Sequence, residues 1–206
     1  MTSVKSLVDG IGNQTLTEKY YDDWASNYDK TLKNWNYKTP LRAAQAIFKI
    51  KDHINTNLDL ACGTGMFAEK LQKIYPKIII DGCDISSQSL KIAKQKKLYR
   101  NLIKKSFEKK INISKKYDSV SMIGSMTYCK KPKKLFLLIK NYLKKNGIFI
   151  FSHRIDLWKK QKFDTVLNNF NESFKLIYKS RPLSYLPKNS SFSNQIKIRI
   201  VILEKI

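Results

Sequence analysis

The sequence predicts an α/β fold: a seven-stranded, mostly parallel sheet with helices on both faces and an antiparallel strand at the C-terminus. Three observations predict it. From residue 57 to residue 152, short apolar runs alternate with longer amphipathic segments. Two of these runs, Ile78-Ile79-Ile80 and Ile148-Phe149-Ile150-Phe151, are apolar throughout, as strands buried on both faces require. The last run alternates instead. Ile196, Ile198, Ile200 and Ile202 are separated by Lys197, Arg199 and Val201, the pattern of an antiparallel strand near a sheet edge.

The elements follow in order. The first 16 residues are polar and glycine-containing and read as a loose lead-in. A helix is expected from Thr17, as N-cap, to about Leu32, with Tyr20, Tyr21, Trp24, Ala25 and Tyr28 at helical spacing. A second helix starts at Pro40, a favoured first helical residue, and carries Leu41, Ala44, Ile47 and Phe48 on one face. Strands are expected at Asn57 to Ala61, Ile78 to Cys83, Leu102 to Lys105, Ser119 to Ile123 and Ile148 to Ser152. Helices are expected between them at Met66 to Ile74, Ser87 to Lys96 and Lys133 to Leu143, with Asn146-Gly147 as the stop signal after the last. Phe174 to Tyr178 and Ile196 to Leu203 complete the count as a strand pair. The segment between them, Lys179 to Asn194, holds Arg181, Pro182, Tyr185 and Pro187 and suits a small lid.

Length and composition bound the class. At 206 residues and 42% hydrophobic the chain suits one domain with a real core. No run approaches the roughly 18 apolar residues of a membrane span, and Met1-Thr2-Ser3-Val4-Lys5 opens no signal-peptide core, so a cytoplasmic protein is expected. Cys62, Cys83 and Cys129 are too few and too scattered for a disulfide framework, and no Cys-x-x-Cys pair suggests zinc.

The formal net charge is +24, which attracts polyanions and anionic surfaces. It is carried almost wholly by lysine, arginine being confined to Arg42, Arg100, Arg154, Arg181 and Arg199, although arginine is the better bidentate phosphate ligand. The lysines run along the whole chain beside abundant isoleucine and asparagine, as an AT-rich genome would produce. Genome composition and a polyanion partner are thus both open readings of the charge.

The chemistry lies at Leu58-Asp59-Leu60-Ala61-Cys62-Gly63-Thr64-Gly65, a strand followed by a glycine turn and a helix. Gly63 and Gly65 allow a tight turn and close approach of a ligand, and the following helix presents free N–H groups. Asp84 ends the next strand, where a carboxylate can accept both ribose hydroxyls of an adenosine. Gly63-Thr64-Gly65-Met66-Phe67-Ala68 also satisfies the dinucleotide pattern, so the turn alone is ambiguous. Asp59 tips the balance: before the turn, a carboxylate repels a pyrophosphate but suits the cationic amino-acid end of S-adenosylmethionine. No tyrosine has a lysine four residues later, so the Tyr-x-x-x-Lys pair of a short-chain reductase is missing from the sequence.

The turn resembles motif I of the class I methyltransferases, with Ala61 at the usual first glycine. Gly82-Cys83-Asp84-Ile85-Ser86, followed by Leu90 and Ala93, resembles motif II. Tyr117-Asp118-Ser119-Val120 resembles the fourth-strand motif, and Leu143-Lys144-Lys145-Asn146-Gly147-Ile148 the approach to the fifth strand. Tyr21 to Asp29 and Tyr37-Lys38-Thr39-Pro40, with Ser125 to Tyr128 and Phe151-Ser152, narrow the resemblance to the bacterial TPR-linked and Williams–Beuren-region methyltransferase-like group. The resemblance covers residues 17 to 155 well and the tail loosely.

The resemblance implies a Rossmann-like fold in a single methyltransferase domain over residues 1–206. Residues 1–50 form an N-terminal helical cover, 51–155 the cofactor-binding core, and 156–206 a C-terminal helix and strand pair. It implies S-adenosyl-L-methionine as cofactor, S-adenosyl-L-homocysteine as product and no metal. By position, Asp59 lies near the cofactor's amino group; Ala61, Gly63 and Gly65 floor the site; Asp84 holds the ribose and Ile85 packs on the adenine. Ser106 stands where an acidic residue often meets the adenine amino group, with Phe107 beside it. Gly124 and Ser125 face the methionine portion, and Tyr21, Tyr28, Tyr37 and Pro40 form the cover, although Tyr21, Trp24 and Tyr28 also recur as the core face of a helix would.

His153, just past the fifth strand, is the candidate general base, with a packing histidine as the competing role. Tyr128 is a further catalytic candidate, and Arg154 a candidate for holding an acidic substrate. His53 is expected to be solvated. The expected reaction is in-line transfer of the sulfonium methyl to a small-molecule or carrier-bound acceptor, in which the protein mainly positions and desolvates the acceptor. RNA methylation, supported by charge, and cofactor binding without catalysis are the alternatives.

Overall fold

The structure, a computed structural model, describes residues 11–190 and 195–206. A long helix α1 (Gln14–Asn34) and a shorter α2 (Thr39–Phe48) precede the sheet. The alternating core follows: β1 (Thr56–Leu60), α3 (Met66–Ile74), β2 (Ile79–Asp84), α4 (Ser87–Gln95), β3 (Asn101–Lys104), β4 (Tyr117–Met122), a 3₁₀ turn (Met126–Tyr128), α5 (Pro132–Tyr142) and β5 (Leu143–Arg154). Two short helices, α6 (Ile155–Lys160) and α7 (Phe163–Asn168), lead to β6 (Phe174–Lys179), β7 (Leu183–Ser184) and β8 (Lys197–Lys205).

The strand order is β3-β2-β1-β4-β5-β8-β6. β1 to β5 pair in parallel, and β8 is antiparallel to both neighbours. This is the predicted Rossmann-like sheet with one addition. The two-residue β7 pairs with β8 beside the main path, so the sheet has eight strands among the described residues rather than seven. The extra strand falls in the segment read as a lid, which is tethered to the sheet at Leu183–Ser184; its residues 191–194 lie outside the described residues.

Strand alternation divides the core. Leu58, Leu60, Val120, Met122, Phe149 and Phe151 pack with α5 to α7 on one face, where Phe136 meets Phe149 at a ring separation of 5.6 Å. Ile80, Ile148, Ile150, Ile198, Ile200 and Ile202 pack with α2 and α3 on the other. The burial pattern of β5 is continuous from Gly147 onward, as its apolar run requires.

Two sequence expectations are corrected at the N-terminus. Asn13, not Thr17, caps α1: its side chain accepts from the Leu16 backbone N–H at 3.1 Å. Thr17 already lies in the first turn, its hydroxyl donating back to the Asn13 carbonyl at 2.8 Å. Residues 14–16 of the presumed lead-in are therefore helical, and residues 1–10 lie outside the described ones. The helix is pinned to the core by its acids. Asp22 accepts from Ser86 Oγ and the Gln88 N–H, Asp29 accepts from Thr64 Oγ1 and Lys96 Nζ, and Glu18 pairs with Lys104.

Candidate active site

The C-terminal ends of β1, β2 and β4 open under α1 into a cleft with about 590 Å³ of empty space, part of it open to solvent. Its floor is the glycine turn. Ala61, Gly63 and Gly65 all have positive φ, at 54°, 53° and 88°. Nothing stands within 4 Å of where a Gly63 Cβ would be, so the backbone there faces open space. Gly65 is the N-cap residue of α3 and packs on Tyr99 instead of lining the cavity.

Asp84 ends β2 against that floor, and its carboxylate is organised by backbone. Oδ2 accepts from the Gly63 N–H at 2.8 Å and Oδ1 from the Ser86 N–H at 2.8 Å. Burial raises its pKa, and these N–H donors oppose that rise by favouring the carboxylate. It thus fixes the turn and the start of α4.

The roof is aromatic. Tyr21 and Tyr28, from α1, line the cavity together with Tyr128 from the 3₁₀ turn after β4. The Tyr21 and Tyr128 hydroxyls are hydrogen-bonded at 3.0 Å. Burial raises the phenol pKa of Tyr21 and Tyr28 well above its ordinary value, so both remain neutral. Gly124 and Ser125 complete the wall; Gly124, at φ 87°, donates its N–H to Ser152 Oγ at 2.8 Å and leaves room for Tyr37. Ser125 Oγ is buried with no hydrogen-bond partner among the described residues.

Smaller chambers adjoin at both ends. One, sharing Tyr28, Ala61, Gly63 and Ile123 with the main cavity, is lined by Tyr37, Pro40 and Asp59. The other shares Ile85, Phe107 and Tyr128 and adds Ser106. The residues lining these three adjoining spaces include each one expected at the cofactor except Gly65, the N-cap of α3.

Asp59 is the most constrained of these groups. It is 1% exposed, accepting from Ser121 Oγ at 2.8 Å and from Tyr99 Oη at 2.9 Å. Burial pushes its pKa up to about 7 against the pull of these two donors, and nearby Asp84 adds to the rise.

His153 lies elsewhere. β5 extends to Arg154, so His153 is inside the strand rather than past its end. Strand parity puts it on the Phe149 and Phe151 face, against Phe163 at a ring separation of 4.7 Å. Nδ1 lies 2.9 Å from the Arg154 carbonyl oxygen and Nε2 2.9 Å from Gln161 Oε1, so the single N–H of a neutral ring serves one of the two. Burial lowers its pKa, so the ring is a neutral packing group outside the cavity lining. Arg154 forks onto the Asp156 carboxylate through Nε and Nη2. His53 is exposed.

Sequence reasoning missed Thr17, Ser89, Lys105 and Ile123 in the lining, and Tyr99 behind Asp59. The signal for α1's role as a latch was present, since Asp22 and Asp29 lie seven residues, two helical turns, apart and so share a face. Among the described residues no group of three or more His, Cys, Asp or Glu side chains is placed to hold a metal ion, and no helix is long and apolar enough to cross a membrane.

Comparison with known proteins finds similar chains for this geometry. A family model described as a methyltransferase domain matches residues 58–149. A malonyl-acyl-carrier-protein O-methyltransferase of Halalkalibacterium halodurans is 29% identical over 152 residues, covering 69% of this chain and 55% of that protein. The chain spans about half the length of that relative and of several other curated relatives it matches. Among solved structures, an S-adenosylmethionine-dependent methyltransferase from Clostridium acetobutylicum superposes with a TM-score of 0.65 at 18% identity, covering 89% of this chain and 98% of that one. The N-methyltransferase NodS from Bradyrhizobium japonicum, in complex with S-adenosyl-L-homocysteine, gives 0.61 at 13% identity, covering 80% and 85%. At these identities the likeness is one of fold. The matches do not single out the TPR-linked and Williams–Beuren-region group that the N-terminal segment resembles.

Proposed function

We propose that the chain carries a class I S-adenosylmethionine-dependent methyltransferase domain and transfers a methyl group to a small-molecule or carrier-bound acceptor by direct in-line displacement. The observation that carries the proposal is the continuous cavity under α1, floored by the glycine turn, edged by Asp84 and roofed by Tyr21, Tyr28 and Tyr128. The residues present suit the cofactor. The open space at Gly63 accepts a ligand pressed on backbone, and the unpartnered Ser125 Oγ offers a hydrogen bond at the wall.

When bound, the cofactor supplies an electrophilic sulfonium methyl, so the protein's part is binding, orientation and exclusion of water. Asp84 would hold the ribose hydroxyls, with Ile85, Ser106 and Phe107 around the adenine. Asp59, with Tyr37 and Pro40 beside it, would meet the amino-acid end. Tyr21, Tyr28 and Tyr128 present neutral aromatic rings, whose faces attract a cationic centre, and keep water from the reacting atoms. His153 has both ring nitrogens engaged away from the cavity, so the base role is not carried into this mechanism. Residues 1–50 would act as the cover, 51–155 as the cofactor-binding core and 156–206 as the flank of one domain.

Small-molecule or carrier-bound acceptors are favoured over RNA because the cleft is roofed by Tyr21, Tyr28 and Tyr128 and the charge is dispersed lysine. The relatives named for O-methylation of a carrier-bound acyl group support the carrier half of this reading. The test is calorimetric titration with S-adenosylmethionine, followed by labelled-methyl transfer into separate pools of small molecules, acyl carriers and RNA. Binding with label entering the first two pools supports the proposal. NADH binding without S-adenosylmethionine binding overturns it, and label entering RNA alone moves the acceptor to nucleic acid.

A further inference from the structure

Asp59 is gripped from two sides, and one of the two grips comes from a residue that no motif marks. Tyr99 lies between α4 and β3, and its hydroxyl donates to Asp59 Oδ2 at 2.9 Å. Ser121 Oγ donates to Oδ1 at 2.8 Å. With one donor fixed on each oxygen, the carboxylate cannot turn freely about its last torsion. Ser121 is anchored in turn, accepting from Asn57 Nδ2 at 2.9 Å, while Asn57 Oδ1 accepts from Ser119 Oγ at 2.8 Å. The chain of polar groups follows the register of β1 against β4, which pairs Asn57 with Ser119 and Asp59 with Ser121.

The Tyr99 ring reaches Asp59 through space that two glycines leave open. Gly82 stands opposite Asp59 in the register of β1 against β2. A Cβ on Gly82 would come within 2.8 Å of the Tyr99 ring, and one on Gly65 within 3.1 Å. Gly82 therefore admits the ring, and the ring props the turn from below while its hydroxyl holds the carboxylate. Both donors to Asp59 are neutral, and no lysine or arginine among the described residues pairs with it. The missing countercharge is of the kind an ammonium group brings.

We propose that Tyr99 is a positioning residue that holds the Asp59 carboxylate toward the cationic amino-acid end of the methyl donor. This rests on the cofactor reading given above. Tyr99 touches no ligand; it acts through Asp59, so its influence is confined to the part of the ligand that Asp59 meets.

The experiment uses three ligands that differ in that part. S-Adenosylmethionine and S-adenosylhomocysteine carry the amino-acid end, and 5′-methylthioadenosine lacks it. Each is titrated by calorimetry into the wild-type chain and into Tyr99→Phe, which keeps the ring and removes the hydroxyl. We expect affinity for the first two to fall about tenfold, the size of one charge-assisted hydrogen bond, with methylthioadenosine unchanged. Equal loss for all three ligands, or no loss for any, overturns the role of Tyr99. Ser121→Ala removes the opposite donor and is expected to give the same selectivity, so it decides the matter if Tyr99→Phe does not fold. A wild-type chain that binds none of the three overturns the cofactor reading itself and this inference with it.

Discussion

Tyr21 and Tyr128 stand 107 positions apart in sequence and meet hydroxyl to hydroxyl at 3.0 Å across the roof of the cavity. The bond ties α1 to the turn after β4 across the cavity that both line. Tyr21→Phe and Tyr128→Phe are each expected to lower kcat/KM by roughly 3- to 10-fold, the usual worth of one neutral hydrogen bond. The double variant is expected to be little worse than either single one, giving a coupling of about 1 kcal/mol. Labelled-methyl transfer on an identified acceptor measures the cycle. Additive losses would show that the two rings act independently.

Asp84 holds the turn and the start of α4 and is the proposed ribose ligand, so its variants separate by size of effect. Asp84→Ala removes the acceptor of the Gly63 and Ser86 N–H groups as well as the proposed ribose contact. S-Adenosylmethionine affinity is expected to fall about 100-fold, with a stability loss of roughly 1–3 kcal/mol from the freed N–H groups. Asp84→Asn keeps a carbonyl acceptor and is expected to lose less of both. Calorimetry and thermal melts report the two quantities separately.

Asp59 predicts opposite effects on stability and binding. Its folded pKa of about 7 lies above the ordinary 3.8, so the protein binds that proton more tightly when folded. The stability this provides is complete below about pH 4 and is lost as pH rises to 7, a cost on the order of 4 kcal/mol at most. Asp59→Asn escapes the cost. Its melting temperature is expected to match wild type near pH 4 and to exceed it at pH 8. Its affinity for S-adenosylmethionine is expected to be lower at pH 8 and nearly flat with pH, whereas wild-type affinity rises up to about pH 7 as the carboxylate ionises. A variant that melts below wild type at pH 8 would contradict the argument.

Ala61 holds a left-handed backbone conformation, φ 54°, at the position where the resembled motif has a glycine. An L-residue is strained there, and the strain exceeds the chain entropy that alanine saves in the unfolded state. Ala61→Gly is expected to stabilise the protein by about 0.5–1 kcal/mol, or roughly 2 °C in Tm for a chain of this size. Affinity for S-adenosylmethionine is expected to stay within about twofold, since the backbone course is unchanged. Differential scanning calorimetry of the two proteins is the check.

Much of the site was legible because it is local. A strand, a tight turn and a helix follow one another from Leu58 to Ile74, and the glycines mark where the backbone enters positive φ. Helix α3 spans Met66 to Ile74 as its amphipathic pattern predicts, and Asp84 falls at the end of β2 beside Gly63 as the spacing predicts. N-terminal capping was harder. Asn13 and Thr17 both have capping side chains, and their one-turn spacing makes the sequence equally consistent with either.

The sequence by itself determined most elements of the core, their alternation, the glycine turn and the two carboxylates around it, because backbone propensity and the period of burial are written in neighbouring residues. Only the tertiary structure decided what each carboxylate leans on. Tyr99 reaches Asp59, and Tyr21 meets Tyr128, across sheet order and helix packing that no local window contains. His153 turned on a still finer point. One step of strand parity, with β5 carried on to Arg154, put its ring against Phe163 and away from the cavity. A period of two residues per strand repeat makes side-chain direction depend on where the strand runs, and that is settled by pairing with β4 and β8 rather than by the residues alone.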